Sequence, residues 1–183
     1  MKTPRIPLTN LRLSILYKDT LGVDDFECNM SDESMGSYLR RVALYDQNDR
    51  RAVTYVWHDD GGLLAGYATV AMDKTFMIEN PYAPEAHEYP MIMPDRLARR
   101  RGEQYRGAGS HMLDWVVGLA RTMSQYVGCA GVILRPNGDG VIKFYLDNGF
   151  DRLTDTGSLM FTMLGSVYEN PPDPKIKFPP SGT

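Results

Sequence analysis

The most constraining feature of the sequence is the segment RLARRRGEQYRGAGSHMLDWVVGLA, which spans Arg96–Ala120. Positive charge is concentrated at its start, and Gly107 and Gly109 stand directly before a helical apolar pattern. Apolar residues recur there at steps of three and four, which predicts a long helix: Met112, Val116, Leu119, Met123 and Val127. The first N–H groups of a helix have no internal partner and carry positive potential. The segment therefore predicts a turn that binds a diphosphate.

The arginines before the helix add positive charge to this turn: Arg99, Arg100, Arg101 and Arg106. The same residues would also fit a solvated loop in front of an ordinary surface helix, because a short glycine pattern is weakly specific. Two other phosphate-binding turns are excluded. The chain has no GxxxxGK(S/T) segment, and the dinucleotide-binding pattern requires a third glycine where Met112 stands.

Composition narrows the class of protein. The chain has 183 residues and a formal net charge of -3, so it lacks the overall basic excess of a generic nucleic-acid-binding domain. Cys28 and Cys129 are its only cysteines, which excludes a disulfide framework and a zinc-ligand spacing, and we expect no metal site. The sequence shows neither a signal-peptide pattern nor an apolar run of membrane-spanning length. We therefore expect a cytoplasmic protein that does not contact a membrane.

Hydrophobic patterning predicts an α/β fold with a mixed sheet. Strands are predicted in five segments, the second of which is a hairpin turning at Asp59–Gly62: Leu11–Tyr17, Ala52–Met72, Met91–Ala98, Gly131–Arg135 and Gly157–Leu164. Helices are predicted over Ser31–Asp46, after Gly109, and over a segment that ends at a Gly149 cap. Pro94 would need a bulge or an unpaired edge position. We expect one domain over residues 1–164 and a proline-rich tail over residues 165–183.

Two motifs, in order and each on the expected element, carry a resemblance to a known family. The first is Gln104-x-x-Gly107-x-Gly109, which follows a strand and opens the long helix. The second is Phe-Tyr-x-x-x-Gly-Phe within IKFYLDNGF, Ile142–Phe150. Together they resemble the GNAT superfamily of N-acetyltransferases over roughly Leu11 to Leu164. The resemblance implies a central mixed sheet with helices on both faces, acetyl-CoA as co-substrate and a primary amine as acceptor.

The resemblance also implies which residues form the site. The main chain of a splayed strand would hold the acetyl and pantetheine groups, and the glycine turn would hold the diphosphate. The residues expected to bind the coenzyme are Leu97, Ala98, Arg99, Gln104, Tyr105, Arg106, Gly107, Ala108, Gly109, Ser110 and Asn137. Tyr145 would act as the general acid that protonates the departing thiolate, because a phenol is protonated at neutral pH. Tyr145 could instead only pack beside Phe144.

A narrower likeness concerns FECNMSDESMGSYLRRVALYDQ, Phe26–Gln47. This segment and RLARRRGEQYRGAG are similar to segments of the GNAT toxins of bacterial toxin–antitoxin pairs. That likeness implies aminoacyl-tRNA as the acceptor, a small antitoxin as a partner, and a homodimer. The chain departs from the toxin pattern at Arg99 and Arg100, at Tyr105, and at Gly138, where an asparagine is usual and Asn137 lies one place off.

Several assignments stay open at this stage. Glu88 and Asp95 flank the strand that would face the acceptor, and either could be the general base or a surface charge. A protein amine, a small metabolite or a non-catalytic binding module would also fit the motifs. Clustered arginines could form a one-sided patch for nucleic acid: Arg40, Arg41, Arg50, Arg51 and Arg99–Arg101.

Overall fold

A computed structural model describes residues 6–28, 33–77, 87–154 and 157–165. Residues 166–183 lie outside these ranges, so the boundary between the domain and the proline-rich tail stays a prediction. The proline-bearing segment 79–90, whose composition predicts a loop, also lies outside them up to residue 86.

A seven-stranded mixed sheet forms the centre of the molecule, in the order β1-β2-β3-β4-β5-β7-β6. Only β4 and β5 run parallel among these neighbours; the other neighbours are antiparallel. The strands are β1 Arg12–Ile15, β2 Val53–His58, β3 Leu64–Met77, β4 His87–Arg99, β5 Gly131–Leu134, β6 Asp151–Arg152 and β7 Met160–Met163. The predicted strands and the hairpin are confirmed, whereas the two-residue β6 was not predicted because it is too short to show a period.

Four α-helices flank the sheet: α1 Ser34–Arg41, α2 Ala43–Asn48, α3 Ala108–Met123 and α4 Ile142–Asp147. The long helix α3 is confirmed, and Gly149 after α4 has the left-handed φ of 81° expected of a cap. The single helix predicted over Ser31–Asp46 is wrong. The chain breaks at Val42, whose φ is −118°, and this break lets Ala43 become fully buried while Val42 stays exposed.

The sheet has a separate apolar core on each face, because successive side chains of a strand point to opposite faces. Trp57 packs with Met112 and Val116 of α3, whereas its neighbour Val56 packs with Leu39 of α1 on the other face. Each large side chain buried in this way contributes about 1.5–3 kcal/mol relative to an exposed one. The expected arrangement of a mixed sheet with helices on both faces is confirmed.

Strand β4 leaves its parallel partner early. Its pairing with β5 covers only Met91↔Gly131 and Ile92↔Val132, while its pairing with β3 continues to Arg99. The β3–β4 register also shifts beside Pro94, so that Asp95 is an unpaired bulge residue. Of the two alternatives predicted for Pro94, a bulge or an unpaired edge position, the structure shows a bulge at the next residue. Beyond Ile92 the sheet therefore opens into a gap between β4 and β5.

Close contact between β3 and α3 depends on Gly66. An added methyl group there would lie 2.7 Å from Met112 Sδ and 2.8 Å from the carbonyl oxygen of Ala98. Since the second atom is backbone, we expect Gly66→Ala to lower the free energy of unfolding by about 1–3 kcal/mol, measured by urea denaturation. Gly118→Ala is the matched control, because its added carbon meets nothing within 4 Å on the exposed face of α3, and it should be stabilising by about 0.5–1 kcal/mol. Unchanged stability of Gly66→Ala would contradict the close packing.

Candidate active site

A cleft of about 500 Å³ occupies the gap between β4 and β5. One wall is the free end of β4, Pro94–Arg99, and another is the start of α3 at Gly109 and Met112. The turn after β5 and the α4 side chains close it, so that several predicted site residues meet in one place: Leu97, Ala98, Arg99, Gly109, Asn137 and Tyr145. The structure therefore brings both sequence motifs to the same cleft.

The turn into α3 presents unpaired N–H groups at one end of the cleft. Gly107 is the N-cap and has a left-handed φ of 95°, a conformation that side chains with a Cβ rarely adopt. Within the described ranges no side chain caps this helix end, and the first helical hydrogen bond inside the turn runs from His111 N to Gly107 O, 3.1 Å. The N–H groups of residues 108–110 precede that bond and are available to an anion. Ala108 itself is buried and Ser110 is half-buried in this first turn.

The loop before this turn is held mainly through main-chain atoms. The guanidinium of Arg99 donates to the carbonyl oxygens of Arg100 and Gly102, both at 3.2 Å. Burial lowers the pKa of Arg99, although the group stays charged at neutral pH. The N–H of Ile6 donates to the carbonyl of Gln104 at 3.0 Å. These bonds support the loop from β4 to α3 at Gly102 and Gln104.

The arginines before the helix do not all serve the turn, which corrects the expectation that each adds charge there. Arg100 is committed to the structure: its Nε donates to Leu64 O at 2.6 Å, and its Nη2 lies 3.0 Å from Asp25 Oδ1. Arg101 and Arg106 are exposed and face Glu27 and Glu103, each at 3.7 Å. Arg106 is therefore the accessible charge nearest the start of α3.

The side chain of Tyr105 points into the protein, not toward a ligand in the cleft. It is 2% exposed, and its hydroxyl donates to Asp59 Oδ2 at 3.0 Å. Binding of the coenzyme by Tyr105 therefore stays a prediction, and only its main-chain atoms could make that contact. The sequence showed only that a tyrosine replaced a small residue in the motif, and the buried Asp59 partner lies too far away along the chain for a local pattern to reveal it.

Tyr145 lies on α4 with its ring edge-on to two phenylalanines. The ring centroids are 5.1 Å from Phe144 and 6.0 Å from Phe150, and the residue lines the cleft. Burial raises the pKa of its phenol above the ordinary value of 10, so the group is protonated at neutral pH. Tyr145 thus packs beside Phe144 and also faces the cleft, where its hydroxyl can donate a proton.

Residues Leu97 and Ala98 place the β4 main chain at the cleft. Leu97 packs against the core on the α3 side, and Ala98, 4% exposed, packs on the α1 side. One edge of this main chain pairs with β3, and the other edge faces the gap without a strand partner among the described residues. The side chain of Arg99 contributes to the loop instead, as described above.

The two acids considered from the sequence occupy different places. The Asp95 bulge lines the cleft and also an adjoining pocket of about 270 Å³ with Asp73, Arg96 and Arg135. Glu88 is exposed and pairs with Lys74 Nζ at 3.0 Å, away from the cleft. Arg135 lines both spaces and was not singled out from the sequence, because nothing in its local pattern distinguishes it from any residue that follows a strand.

The arginines that could form a one-sided patch do not all line one pocket. Arg50 and Arg51 border a shallow groove with Met123, whereas Arg99 borders the cleft with Gly109. Fourteen residues of helix separate Gly109 from Met123, which is about 20 Å. Arg40 is engaged separately with the carbonyl of Phe26 at 3.2 Å.

Two further features bear on the kind of site. Among the described residues no group of three His, Cys, Asp or Glu side chains is arranged to hold a metal ion. None of the helices in the described ranges has the length and apolar character needed to cross a membrane.

Comparisons with known proteins also point to an acetyltransferase fold. No family model matches the chain. A tRNA-acetylating toxin from Mycobacterium tuberculosis is 29% identical over 145 residues, which cover 76% of this chain and 87% of that protein. AtaT complexed with acetyl-methionyl-tRNAfMet superposes with a TM-score of 0.73 at 19% identity, over 84% of this chain and 94% of that one.

The protein has the GNAT fold. The resemblance predicted from the two motifs is confirmed. A tyrosine-to-phenylalanine mutant of the toxin KacT shares the GNAT fold at a TM-score of 0.75 and 19% identity, over 84% of this chain and 95% of that one. A tyrosine-to-phenylalanine mutant of the toxin AtaT, bound to acetyl-CoA and to the C-terminus of the antitoxin AtaR, superposes with a TM-score of 0.70 at 20% identity, over 84% of this chain and 93% of that one.

Proposed function

We propose that this GNAT-fold protein transfers the acetyl group of acetyl-CoA to the free amine of an aminoacyl-tRNA. The observation that carries the proposal is the cleft in which an unpaired strand edge, a free helix N-terminus and a protonated tyrosine meet. Support for the acceptor comes from the similarity to a tRNA-acetylating toxin and to AtaT with a charged tRNA.

The diphosphate of acetyl-CoA would bind at the start of α3. The N–H groups of residues 108–110 and the helix dipole attract an anion, and Arg106 adds an accessible charge beside them. Glycines at positions 107 and 109 keep side chains away from the approaching oxygens. Gly109 also lies against α4, since an added carbon there would be 3.4 Å from Phe144 Cζ.

The acetyl and pantetheine groups would lie along the free edge of β4. Main-chain groups of Leu97–Arg99 that lack a β5 partner can pair with the pantetheine amides, much as an added strand would. Asn137 lines the same cleft and can bond a pantetheine oxygen or amide. A main-chain N–H of this edge can also stabilise the oxyanion that forms on the thioester carbonyl.

The reaction needs two proton transfers. The neutral amine attacks the thioester carbon, the C–N bond forms, and the tetrahedral intermediate then expels the CoA sulfur as the C–S bond breaks. Tyr145, whose raised pKa keeps the phenol protonated, gives its proton to the sulfur. The proton that the attacking nitrogen loses as the amide forms then restores the phenol, directly or through water. We propose that Asp95, whose carboxylate lines the cleft, receives the ammonium form of the acceptor and orients it. One ammonium proton of the acceptor passes to water before the attack, which leaves the neutral amine.

The chemistry of the pocket beside the cleft is compatible with the end of a tRNA. Arg96 and Arg135 border it and can contact phosphate, while Asp73 and Asp95 supply negative charge for an ammonium. This local arrangement allows a chain of net charge -3 to receive a nucleic acid end without a broad basic surface. We further propose a cytoplasmic location, an antitoxin partner and a homodimer, by analogy with the toxins.

The test is acetyl transfer to charged tRNA. The protein is incubated with acetyl-CoA and a mixture of aminoacyl-tRNAs, and the aminoacyl ends are analysed by mass spectrometry. We expect a gain of one acetyl group on the α-amine of one or more aminoacyl-tRNAs. Acetylation of a protein or metabolite amine in a parallel panel, with none on tRNA, would replace the acceptor. Coenzyme binding without any transfer would favour a non-catalytic module.

Removal of the phenol hydroxyl tests the role of Tyr145. We expect Tyr145→Phe to lower kcat by about 10²–10⁴-fold, the usual contribution of a positioned acid, while the Kd for acetyl-CoA changes less than twofold. The ring contacts with Phe144 and Phe150 are kept in this variant, so folding should be preserved. An unchanged kcat would assign Tyr145 to packing alone.

The left-handed turn at Gly107 gives a separate prediction. A β-branched residue is strained at a φ of 95° and would crowd the approach of the diphosphate, so we expect Gly107→Val to weaken acetyl-CoA binding at least tenfold in calorimetry. Gly118→Val is the control, because it places the same β-branched side chain on an exposed face of α3, eleven residues away from Gly107. Equal affinities of the Gly107→Val variant and the wild type would place the diphosphate elsewhere.

A further inference from the structure

A buried hydrogen bond ties the loop before α3 to the β2–β3 hairpin. Tyr105 Oη donates to Asp59 Oδ2 at 3.0 Å, and the two residues are 2% and 6% exposed. The other carboxylate oxygen, Asp59 Oδ1, accepts the N–H of Leu63 at 2.9 Å. Asp59 N donates to Leu63 O, and Gly62 N donates to Asp59 O, each at 2.9 Å. Asp59 is thus fixed by the tight turn and presents one oxygen to Tyr105.

Tyr105 is the side chain that anchors its segment to the interior. It is the last residue of the short 3-10 helix Glu103–Tyr105 and lies two residues before the N-cap Gly107. The flanking side chains of Glu103 and Arg106 are exposed and face each other at 3.7 Å. Among the residues that the structure describes, the other hydrogen bond from this turn to a distant part of the chain runs from the N–H of Ile6 to the carbonyl oxygen of Gln104. Within residues 103–107, a side-chain connection to the core is therefore made by Tyr105.

Glycines with left-handed conformations border this segment on both sides. Gly102 has a φ of 129° and Gly107 a φ of 95°, so the residues between them connect to β4 and α3 through two permissive positions. A segment of this kind can rotate as a unit unless something holds it. The buried phenol–carboxylate bond is such a restraint, because an unpaired buried carboxylate would be costly.

We propose that Asp59 and Tyr105 form a positioning pair that holds the diphosphate-binding turn in its binding conformation. The inference rests on the proposed function, since it assigns the pair to the binding of acetyl-CoA. Neither residue touches the ligand. The pair acts by ordering the turn before the ligand arrives, so that binding does not carry the entropic cost of ordering it.

The positioning pair should affect one part of the coenzyme and not the other. The diphosphate meets the turn that the pair holds, whereas the acetyl and pantetheine groups meet β4, which is held by its pairing with β3. Loss of the pair should therefore weaken the binding of acetyl-CoA. It should not weaken the binding of S-acetylpantetheine, because that ligand lacks the diphosphate. A general packing defect would weaken both ligands together.

The experiment compares Tyr105→Phe with Tyr38→Phe in the full chain. Tyr38 is the matched control, because its hydroxyl also donates to a carboxylate, Asp46 Oδ2, at 2.9 Å and lies outside the turn. We expect Tyr105→Phe to raise the Kd for acetyl-CoA by about tenfold, equivalent to ~1.4 kcal/mol. The Kd for S-acetylpantetheine and the kcat at saturating acetyl-CoA should stay within twofold. Tyr38→Phe should leave all three values unchanged.

Asp59→Asn provides a second route to the same answer and keeps the proposal falsifiable if Tyr105→Phe folds poorly. The amide retains the size of the carboxylate but removes its charge, so we expect a weaker Kd for acetyl-CoA in the same direction. The Kd of the double variant for acetyl-CoA should not exceed the higher of the two single-variant Kd values, because the two residues act through one bond. Unchanged affinity in the single variants, or equal losses for both ligands, would overturn the positioning role. Failure of the wild type to bind acetyl-CoA would instead overturn the proposed function, and the inference with it.

Discussion

Strand β4 pairs with β5 over only Met91 and Ile92, and then continues to Arg99 with β3 alone. This early parting exposes one edge of β4 inside the molecule and creates the cleft. An exposed strand edge is normally a liability, because its main-chain groups lack partners. Here the edge is enclosed by α3, α4 and the turn after β5, so a ligand of limited width can complete the hydrogen bonds that a neighbouring strand would otherwise make.

Local electrostatics, not overall charge, makes this cleft suitable for an anion. The arginines before α3 are divided between structure and surface: Arg100 holds β3 and the Asp25 segment together, Arg99 braces its own loop, and Arg106 stays accessible. The remaining attraction comes from main-chain N–H groups at the helix start. A mildly acidic chain can therefore bind a diphosphate without a basic face.

Much of the fold followed from the sequence because the responsible patterns are local. The apolar period of α3, the β2–β3 hairpin, the bulge beside Pro94 and the Gly149 cap each depend on residues close in the chain. The break at Val42 was missed, because the apolar residues on both sides of it also fit one continuous helix. Burial of Ala43 against the sheet, a tertiary effect, decides the break.

The sequence predicted correctly which elements carry the two motifs. It did not predict the contacts that several individual side chains make. The two motifs identified the turn and α4, and the structure brings Gly109 and Tyr145 to one cleft. Long-range partners could not be inferred: Tyr105 meets Asp59 across 46 positions, and Arg100 meets Leu64 across 36. Arg135 became visible as a candidate only when the path of the chain after β5 was known.

The most direct test of the account is a crystal structure of the protein with acetyl-CoA. The account predicts diphosphate oxygens within about 3 Å of the N–H groups of residues 108–110, with pantetheine along Leu97–Arg99 and the sulfur next to Tyr145 Oη. A diphosphate bound away from the start of α3, or a cleft that stays empty at saturating acetyl-CoA, would contradict it.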